Sequence, residues 1–412
     1  MNMGLFFWLQ LYQYFGVCFY IFCKPSKFMT TQITAPALIP AKPKIAYIDH
    51  LKVILTVLVI LHHTFITYGA PGGWYYFQKT TSEAAKIPMT LFVAVNQSFF
   101  MGFFFFLSAY FIRPSYDKKG ASRFIKDRLI RLGIPLIFYS FILGPAMNYL
   151  VYYFGKGHHI TPIQFLSGYD DWIDFGVLWF VAALLLFTLL YVGWRQISKS
   201  SESKTNTTLS LTKIMAFAAL LGFISFIVRL IFPIGWILQP VGFQLGHFTQ
   251  YIVLFIAGIL ASKYNWLAGI TYKQGKRAAL IAFLLVIIIF PLFYILLTTI
   301  KFPSSWFSGG FHWPALLYAM WEQLTGIAII TALIGIGKQS LNRESLLWNK
   351  LSRYTFAVYI FHPLVIISLA LMFSGWNIEP AVKLLIVAPL AVTGSFLLAS
   401  VIVSIPGVRE IV

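Results

Sequence analysis

YIDHLKVILTVLVILHHTFITY, from Tyr47 to Tyr68, is apolar enough to cross a bilayer, yet it carries Lys52 and His63. Eleven residues make about three turns of an α-helix, so these two side chains share one face, roughly 16 Å apart along the axis. A lysine and a histidine are costly to place in a lipid-length helix, and such residues usually serve a function. We therefore expect the chemistry at this pair, in a cavity that both side chains face.

The composition of the whole chain agrees with this stretch. The chain has 412 residues, of which 59% are hydrophobic and 10% are charged. No soluble domain of this length needs so much apolar surface, so we predict an all-α polytopic transmembrane helix bundle. A span needs about 20 apolar residues, and about ten windows qualify: 47–68, 90–112, 132–154, 175–194, 212–232, 241–262, 278–300, 314–337, 351–373 and 381–404. We assign residues 45–405 to this membrane domain and residues 1–44 to a hydrophobic and linker segment.

The N-terminal segment contains an apolar, aromatic stretch from Leu5 to Cys23. No Lys or Arg precedes it and it lacks a small-residue cleavage site, so it is a poor signal peptide. It is compatible with an extra hydrophobic span, an interfacial helix, or translated upstream sequence with the working start at Met29, and we favour the last two. Cys18 and Cys23 are the only cysteines; they supply neither a disulfide framework nor a zinc site, and we predict no metal.

The net charge of +19 is unevenly distributed between the two sets of alternating connections. One set, which includes the segments before the first span and after the last, holds 24 of the 31 Lys and Arg residues, and the other holds five. Because cationic connections stay in the cytoplasm, both ends of the ten-span body are predicted to be cytoplasmic. The net positive charge is therefore explained by the membrane topology and by contact of the cationic connections with membrane lipid. We expect no nucleic-acid partner.

In this orientation His63 lies roughly 24 Å from the inner end of its helix, in the outer half of the membrane. Lys52 lies near the inner end, where Asp49, one turn away, can pair with it. A neutral imidazole is the form that a general base needs. The structural alternative is a histidine hydrogen-bonded to a neighbouring helix. His62 points roughly 100° away, so only one of the two histidines shares the face of the lysine.

Other polar residues fall in or beside predicted spans: Glu322 is mid-span, Arg229 is near the outer end of the fifth span, and His362 is central in the ninth. Such groups need partners within the bundle. An Arg229–Glu322 ion pair is as compatible with the pattern as an active-site role. A helix-bridging role for His362 also remains open.

Two further clusters lie at the membrane surfaces. Arg128 and Arg131 are i,i+3 neighbours on a basic stretch, where charge alone favours headgroup anchoring. The second outer loop ends in a group of acidic and aromatic residues: Asp170, Asp171, Trp172, Asp174 and, at the head of the fourth span, Trp179. This group is compatible with a membrane-interface belt. It is also compatible with an outer mouth where a sugar stacks on rings and meets carboxylates.

The pattern D-x-L-K followed by ten residues and a histidine, formed by Asp49, Leu51, Lys52 and His63, resembles the signature of the acyltransferase 3 family. These are integral-membrane enzymes that O-acylate bacterial carbohydrates. Further segments are similar to the family in order and spacing: FFM at 99–101, FLSAY at 106–110, RLIR at 128–131, LWF at 178–180 and YIFH at 359–362. The lysine replaces the commoner arginine of the signature. The chain resembles the short branch that includes the glucan-modifying succinyl-transfer proteins.

The resemblance implies an O-acyltransferase of the bacterial inner membrane that moves an acyl group, such as acetyl or succinyl, from cytoplasmic acyl-CoA to a hydroxyl of a carbohydrate or glycolipid. His63 is then the catalytic base, with Lys52 and Asp49 beside it in the catalytic set. Arg128 and Arg131 become a clamp for the CoA phosphates, for which arginine is well suited. The predicted substrate-binding set is completed by Trp179, Glu322 and His362.

The resemblance implies no bound cofactor, since acyl-CoA is a substrate. Whether His63 first accepts the acyl group covalently is left open. The alternative function is a secondary transporter or flippase for a polar solute, in which the Lys, His and Glu form a coupling relay. That alternative explains the intramembrane charge but not the cytoplasmic arginine pair.

Overall fold

The computed structural model describes residues 45–198 and 209–411, so the expectations for residues 1–44, including Cys18 and Cys23, fall outside the described residues. Within these residues, ten helices are long and apolar enough to span a membrane. We number them in chain order: α1 Ala46–Tyr68, α2 Glu83–Lys119, α3 Ala121–Gly155, α4 Gly176–Ile197, α5 Leu211–Arg229, α6 Leu245–Tyr264, α7 Tyr272–Leu297, α8 Trp313–Ser340, α9 Leu346–Met372 and α10 Pro380–Ser404. Short helices occupy Pro162–Ser167, Trp266–Gly269, Ser305–Ser308 and Val408–Ile411.

The ten helices confirm the predicted polytopic bundle, although α2 and α3 extend well beyond their apolar windows. The sequence predicts a span at residues 90–112, whereas α2 runs from Glu83 to Lys119. Ser82 caps its N-terminus by accepting a backbone hydrogen bond, and Gly120, with a φ of 74°, ends it. α3 begins at Ala121 because the basic stretch before its apolar window is also helical. Hydropathy marks the lipid-length part of a helix and not its ends.

The helices pack around α2, which contacts α1, α6 and α8, while α9 contacts α1 and α10. Small residues allow the closest approaches. Gly326 of α8 lies directly against the carbonyl oxygen of Ser98 in α2, and Gly258 of α6 lies against that of Phe106. A side chain at either glycine would push the backbones apart. These contacts fix α2 at the centre of the bundle.

α3 contains three π-helical turns: Leu129–Gly133 and Tyr139–Leu143 interrupt it, and Val151–Gly155 ends it. A π turn holds one extra residue and redirects the side chains on it, and such turns are frequent at functional sites. The middle turn directs Tyr139 into the bundle, where it is buried. We call the side of the bundle that holds residues 69–82 the first-loop side, and the side that holds residues 113–131 the basic side.

Replacing Gly326 with Ala tests the close α2–α8 contact. The new Cβ would overlap the Ser98 carbonyl oxygen, and overpacking of this kind costs about 1–3 kcal/mol. We expect a lower Tm for the detergent-purified variant. Gly193→Ala in α4 is the matched control, because a Cβ there meets no atom within 4 Å. Equal Tm values for the two variants would contradict the contact.

Candidate active site

His63 lies about 8 Å from the C-terminal end of α1, by the rise of an α-helix. Its imidazole stacks on the indole of Trp74, with ring centroids 4.2 Å and planes 18° apart. It also stacks on the imidazole of His362 in α9, at a centroid distance of 5.3 Å. The rings of Trp74 and His362 are 6.3 Å apart. We call these three nearly parallel rings, from α1, the first loop and α9, the ring cluster.

Each ring in the cluster carries a buried nitrogen that has no hydrogen-bond partner among the described residues: His63 Nδ1, Trp74 Nε1 and His362 Nε2. Buried polar atoms are nearly always paired, and an unpaired one costs about 1–3 kcal/mol. The other nitrogen of His362, Nδ1, lies 2.8 Å from the Tyr359 carbonyl oxygen. A carbonyl only accepts, so Nδ1 carries the proton and Nε2 of the neutral ring presents a lone pair. The cluster therefore offers hydrogen-bonding groups to a bound molecule.

His62 is not stacked in the ring cluster, although its ring meets that of His63 edge-on at 5.5 Å. Its ring packs on Phe100 of α2, and its Nδ1 lies 3.3 Å from the amide nitrogen of Asn96. That amide also donates to the Leu58 carbonyl, at 3.1 Å. The adjacent histidines thus face different neighbours, as helical geometry predicts.

The first loop that carries Trp74 is tied to three helices. Its backbone pairs with the end of α1, where Gln78 N donates to Thr67 O at 2.8 Å and Thr80 N donates to Tyr68 O at 3.0 Å.

Side chains of the loop reach the other two helices. The Gln78 side chain donates to Ala370 O of α9 at 2.8 Å and accepts from Lys383 of α10 at 3.2 Å. The Thr80 hydroxyl donates to the Glu379 carboxylate, which caps α10.

Glycines make this route possible. Gly69 and Gly72 have φ values of 143° and 150°, which disfavour other residues, and a Cβ at either would collide with its neighbours. The turn that they form brings the indole of Trp74 back onto α1. The position of Trp74 is therefore set by backbone geometry as well as by hydrogen bonds.

A polar wall of tyrosines borders the ring cluster. Tyr75 contacts the Trp74 ring edge-on, at 5.2 Å, and its hydroxyl lies 2.5 Å from that of Tyr139. Burial and the neighbouring Tyr139 raise the pKa of Tyr75 well above its usual value. The Tyr359 hydroxyl donates to the Val177 carbonyl, which joins α9 to the start of α4. Burial also raises the pKa of Asp174, just before α4. This effect outweighs the opposite one of the hydrogen bond that the Asp174 carboxylate accepts from Gly176 N at 2.8 Å.

Lys52 lies at the other end of α1. Its ammonium is 3.5 Å from the Asp49 carboxylate and 4.8 Å from the centre of the Phe111 ring. The predicted Lys52–Asp49 pair is therefore present, and helical geometry puts Lys52 about 16 Å from His63 along the axis. The two side chains contact different neighbours, contrary to the expectation of one shared cavity. Helical periodicity fixes the common face but not the elements that cover it.

Arg128 and Arg131 lie on the basic side, in the first turns of α3. The Arg128 guanidinium stacks over Phe124 at 4.9 Å, and Arg131, in the first π turn, is exposed. Beside them an open, largely apolar groove of about 740 Å³ is lined by Ala121, Ser122, Ile125, Lys126, Leu129, Ile130, Ile134 and Gln196. The arginines and the ring cluster lie toward opposite sides of the bundle.

Glu322 sits in a fully buried ion cluster between α5, α6 and α8. One carboxylate oxygen pairs with Arg229, and the other lies 3.2 Å from Nδ1 of His247. Gln323 donates to the same carboxylate at 3.3 Å. The ion pair considered as a structural alternative is thus present, with His247 as an additional member. These contacts engage both carboxylate oxygens.

Trp179 is separate from the ring cluster and packs in the aromatic core, 5.3 Å from the ring of Tyr251. The next residue, Phe180, meets the ring of Tyr359 edge-on at 5.9 Å. The LWF and YIFH segments therefore touch each other. Of the predicted site residues, only His63 and His362 come into direct contact with one another in the ring cluster.

A family model described as an acyltransferase domain matches residues 45–400. The chain belongs to the acyltransferase 3 family. This acyltransferase 3 protein is a multi-pass membrane O-acyltransferase, which confirms the predicted enzyme class. The family membership also favours the enzyme over the transporter considered from the sequence.

Relatives of the acyltransferase 3 protein cover most of its length. Glucans biosynthesis protein C of Escherichia coli K12 is 23% identical over 345 residues, which span 81% of this chain and 84% of that protein. The protein of the same name from Salmonella schwarzengrund strain CVM19633 is 24% identical over 364 residues, or 83% and 86% of the two chains. No solved structure matches.

The sequence did not reveal Trp74, Tyr75, Tyr139 or His247 as neighbours of the predicted site. The first two lie in the loop GAPGGWYYFQKT, whose aromatic residues are indistinguishable by composition from an interface belt. The glycines around them were a usable signal, because they predict a turn that can fold back onto the bundle. Tyr139 depends on a π turn, for which the sequence contains no pattern.

Glu322→Gln separates the structural role of the ion cluster from a substrate-binding role. Removing one member of a buried ion pair leaves an uncompensated charge and costs about 3–5 kcal/mol. We expect a clearly lower Tm in detergent, and little change for Glu83→Gln in the exposed Glu83–Lys86 pair. An unchanged Tm together with lost acyl transfer would instead support the substrate-binding role predicted from the sequence.

Proposed function

We propose that this membrane O-acyltransferase takes an acyl group, such as acetyl or succinyl, from cytoplasmic acyl-CoA and transfers it to a hydroxyl of a carbohydrate or glycolipid. The acceptor hydroxyl lies near the outer face of a bacterial inner membrane. The ring cluster is the observation that carries the proposal. It combines two imidazoles with three buried, unpartnered nitrogens at one end of the bundle.

The reaction requires a base and a stabilised oxyanion. The acceptor oxygen attacks the thioester carbonyl carbon while its proton passes to an imidazole nitrogen of His63. The carbonyl electron pair moves to oxygen, then returns as the C–S bond breaks, and the CoA thiolate takes up the proton. His362 packs on His63 and presents the lone pair of Nε2, so it can accept a hydrogen bond from a second hydroxyl of the acceptor. Attack by His63 itself would give an acyl-imidazole that the hydroxyl then attacks.

The donor binds from the basic side. Arg128 and Arg131 provide forked donors suited to the phosphates of CoA. The excess of cationic connections on that side supports its assignment to the cytoplasm. Lys52, held near Asp49, lies on the same side and supplies a further cation for anionic parts of the donor.

The assignment of a carbohydrate acceptor is supported by the relatives, whose names refer to glucan biosynthesis. The loop before α4 adds acidic and aromatic side chains on the side of the ring cluster. Trp172 is half-buried against Phe141, with ring centroids 6.1 Å apart, and Asp170 and Asp171 are exposed. Rings of this kind stack on sugar faces, and carboxylates accept hydrogen bonds from sugar hydroxyls.

Replacing His63 with Gln tests the base. We expect acyl transfer to fall by at least about 100-fold, the lower range for general acid–base catalysis. The measurement is CoA release from acetyl-CoA or succinyl-CoA by inverted membrane vesicles, combined with mass spectrometry of envelope glycans from a deletion strain that carries each variant.

His50→Gln is the matched control for this experiment. His50 lies in the same helix, is buried, packs on Trp348 at 4.8 Å and also has an unpartnered Nε2. We expect its variant to retain transfer. Full activity of the His63 variant, with the protein present in the membrane, would remove His63 from the mechanism.

The arginine clamp is tested with the double variant Arg128→Gln, Arg131→Gln. Each lost charge-assisted hydrogen bond is worth about 1.5–3 kcal/mol, so the KM for acyl-CoA should rise by at least about 10-fold while kcat changes little. Arg123→Gln, at an exposed arginine in the same helix, controls for loss of surface charge. A KM equal to that of the wild type would place the CoA phosphates elsewhere.

A further inference from the structure

Trp74 has an unsatisfied indole N–H in the ring cluster. Its ring stacks on the base candidate His63 at 4.2 Å, and its Nε1 is buried without a partner among the described residues. An indole nitrogen can only donate a hydrogen bond. Because buried donors are nearly always paired, this N–H is expected to face an acceptor atom that binds during function.

The three unpartnered nitrogens differ in what they can offer. His362 Nδ1 is engaged with the Tyr359 carbonyl, so its Nε2 accepts hydrogen bonds in the neutral ring. His63 needs a lone pair to remove the acceptor proton. Of the three unpartnered nitrogens, Trp74 Nε1 is therefore the one that donates in every protonation state of the two histidines.

Cationic groups of the bundle are not placed to take this role. Lys52 lies about 16 Å from His63 along α1 by helical geometry, and it contacts Asp49 and Phe111. Arg229 is paired with Glu322 in the ion cluster, and the buried Lys383 ammonium donates to the Gln78 side chain and the Phe373 carbonyl. A neutral donor on the ring cluster itself is therefore better placed to stabilise the charge that develops on the carbonyl oxygen during acyl transfer.

We propose that Trp74 Nε1 donates a hydrogen bond to the acyl carbonyl oxygen and stabilises the oxyanion of the tetrahedral intermediate. This inference rests on the proposed acyl transfer. The acceptor oxygen bonds to the carbonyl carbon, its proton moves to His63, and the carbonyl π electrons become the oxyanion lone pair that the indole N–H binds. When the oxyanion collapses, the C=O bond re-forms, the C–S bond breaks, and the thiolate takes the proton from His63.

The first loop holds this donor in place before substrate binds. Gln78 and Thr80 connect the loop to α1, α9 and α10, so the loop backbone cannot move away without breaking several hydrogen bonds, and the indole itself packs against the rings of His63 and Tyr75. A donor fixed in advance pays no reorganisation cost during reaction, which is the condition for effective oxyanion stabilisation. The proposal therefore predicts an effect on kcat and not on donor binding.

The experiment replaces Trp74 with 3-benzothienylalanine, in which sulfur takes the place of the N–H and the ring shape is kept. Full-length protein is assayed in proteoliposomes containing envelope lipid and glycan extract, with acetyl-CoA or succinyl-CoA, by CoA release and product mass spectrometry. We expect kcat to fall by about 100-fold, as for the loss of one oxyanion donor, while the KM for the donor stays within about threefold. Trp74→Phe should show the same loss.

Trp266 is the matched control, because its indole Nε1 is also buried and unpartnered but lies in a short helix after α6. Replacing Trp266 with the same analogue should leave kcat unchanged. A Trp74 analogue with wild-type kcat overturns the oxyanion role, and so does a Trp74→Phe variant that is inactive while the analogue is active, because ring shape then matters instead of the N–H. Absence of donor-dependent CoA release from the wild type overturns the proposed function itself.

Discussion

A polar group inside a membrane bundle must find its hydrogen-bond partner within the protein, and this constraint organises the structure. Arg229 and Glu322 pair with each other, and Arg229 also donates to the Gly246 carbonyl, although its Nη1 has no partner among the described residues. Lys383 satisfies the constraint through the Gln78 side chain and the Phe373 carbonyl. Among the described residues, the ring cluster brings together three buried nitrogens without a hydrogen-bond partner, one on each stacked ring, and this grouping is the reason for treating it as the candidate site.

The first loop contributes to the fixed geometry of the ring cluster. The three rings of the cluster come from α1, from the loop and from α9, and hydrogen bonds from Gln78 and Thr80 join these elements. The direct packing of α1 on α9 sets the distance between the two histidines, and the loop sets the position of Trp74. Its anchoring by backbone pairs on α1 and by side chains on α9 and α10 makes it part of the scaffold and not a loose connection.

The sequence predicts the ten spans and some of the residues that meet in the candidate site, for different reasons. Ten spans follow from hydropathy because lipid demands a minimum apolar length, but the extension of α2 to Lys119 depends on caps outside the apolar window. His63 and His362 stood out because imidazoles are costly in lipid. Their contact with Trp74 depends on how α1, α9 and a loop pack, which no local pattern encodes. The helical period predicted the face of α1 on which Lys52 lies, but it could not predict that α2 covers this side chain.

The separation of the two ends of α1 has a chemical consequence for the proposed reaction. The phosphates of CoA are strongly hydrated anions, and moving them into a low-dielectric bundle is costly, so they are best held on the basic side by Arg128 and Arg131. The thioester must nevertheless reach the ring cluster, several helical turns away. The pantetheine arm of CoA is long and uncharged, so placing it among buried groups of the bundle costs less than placing the phosphates there. In the proposed reaction, the charged part of the donor stays on the basic side, and its acyl group is activated near the first-loop side. The enzyme can then deliver the acyl group to an acceptor without moving CoA across the membrane.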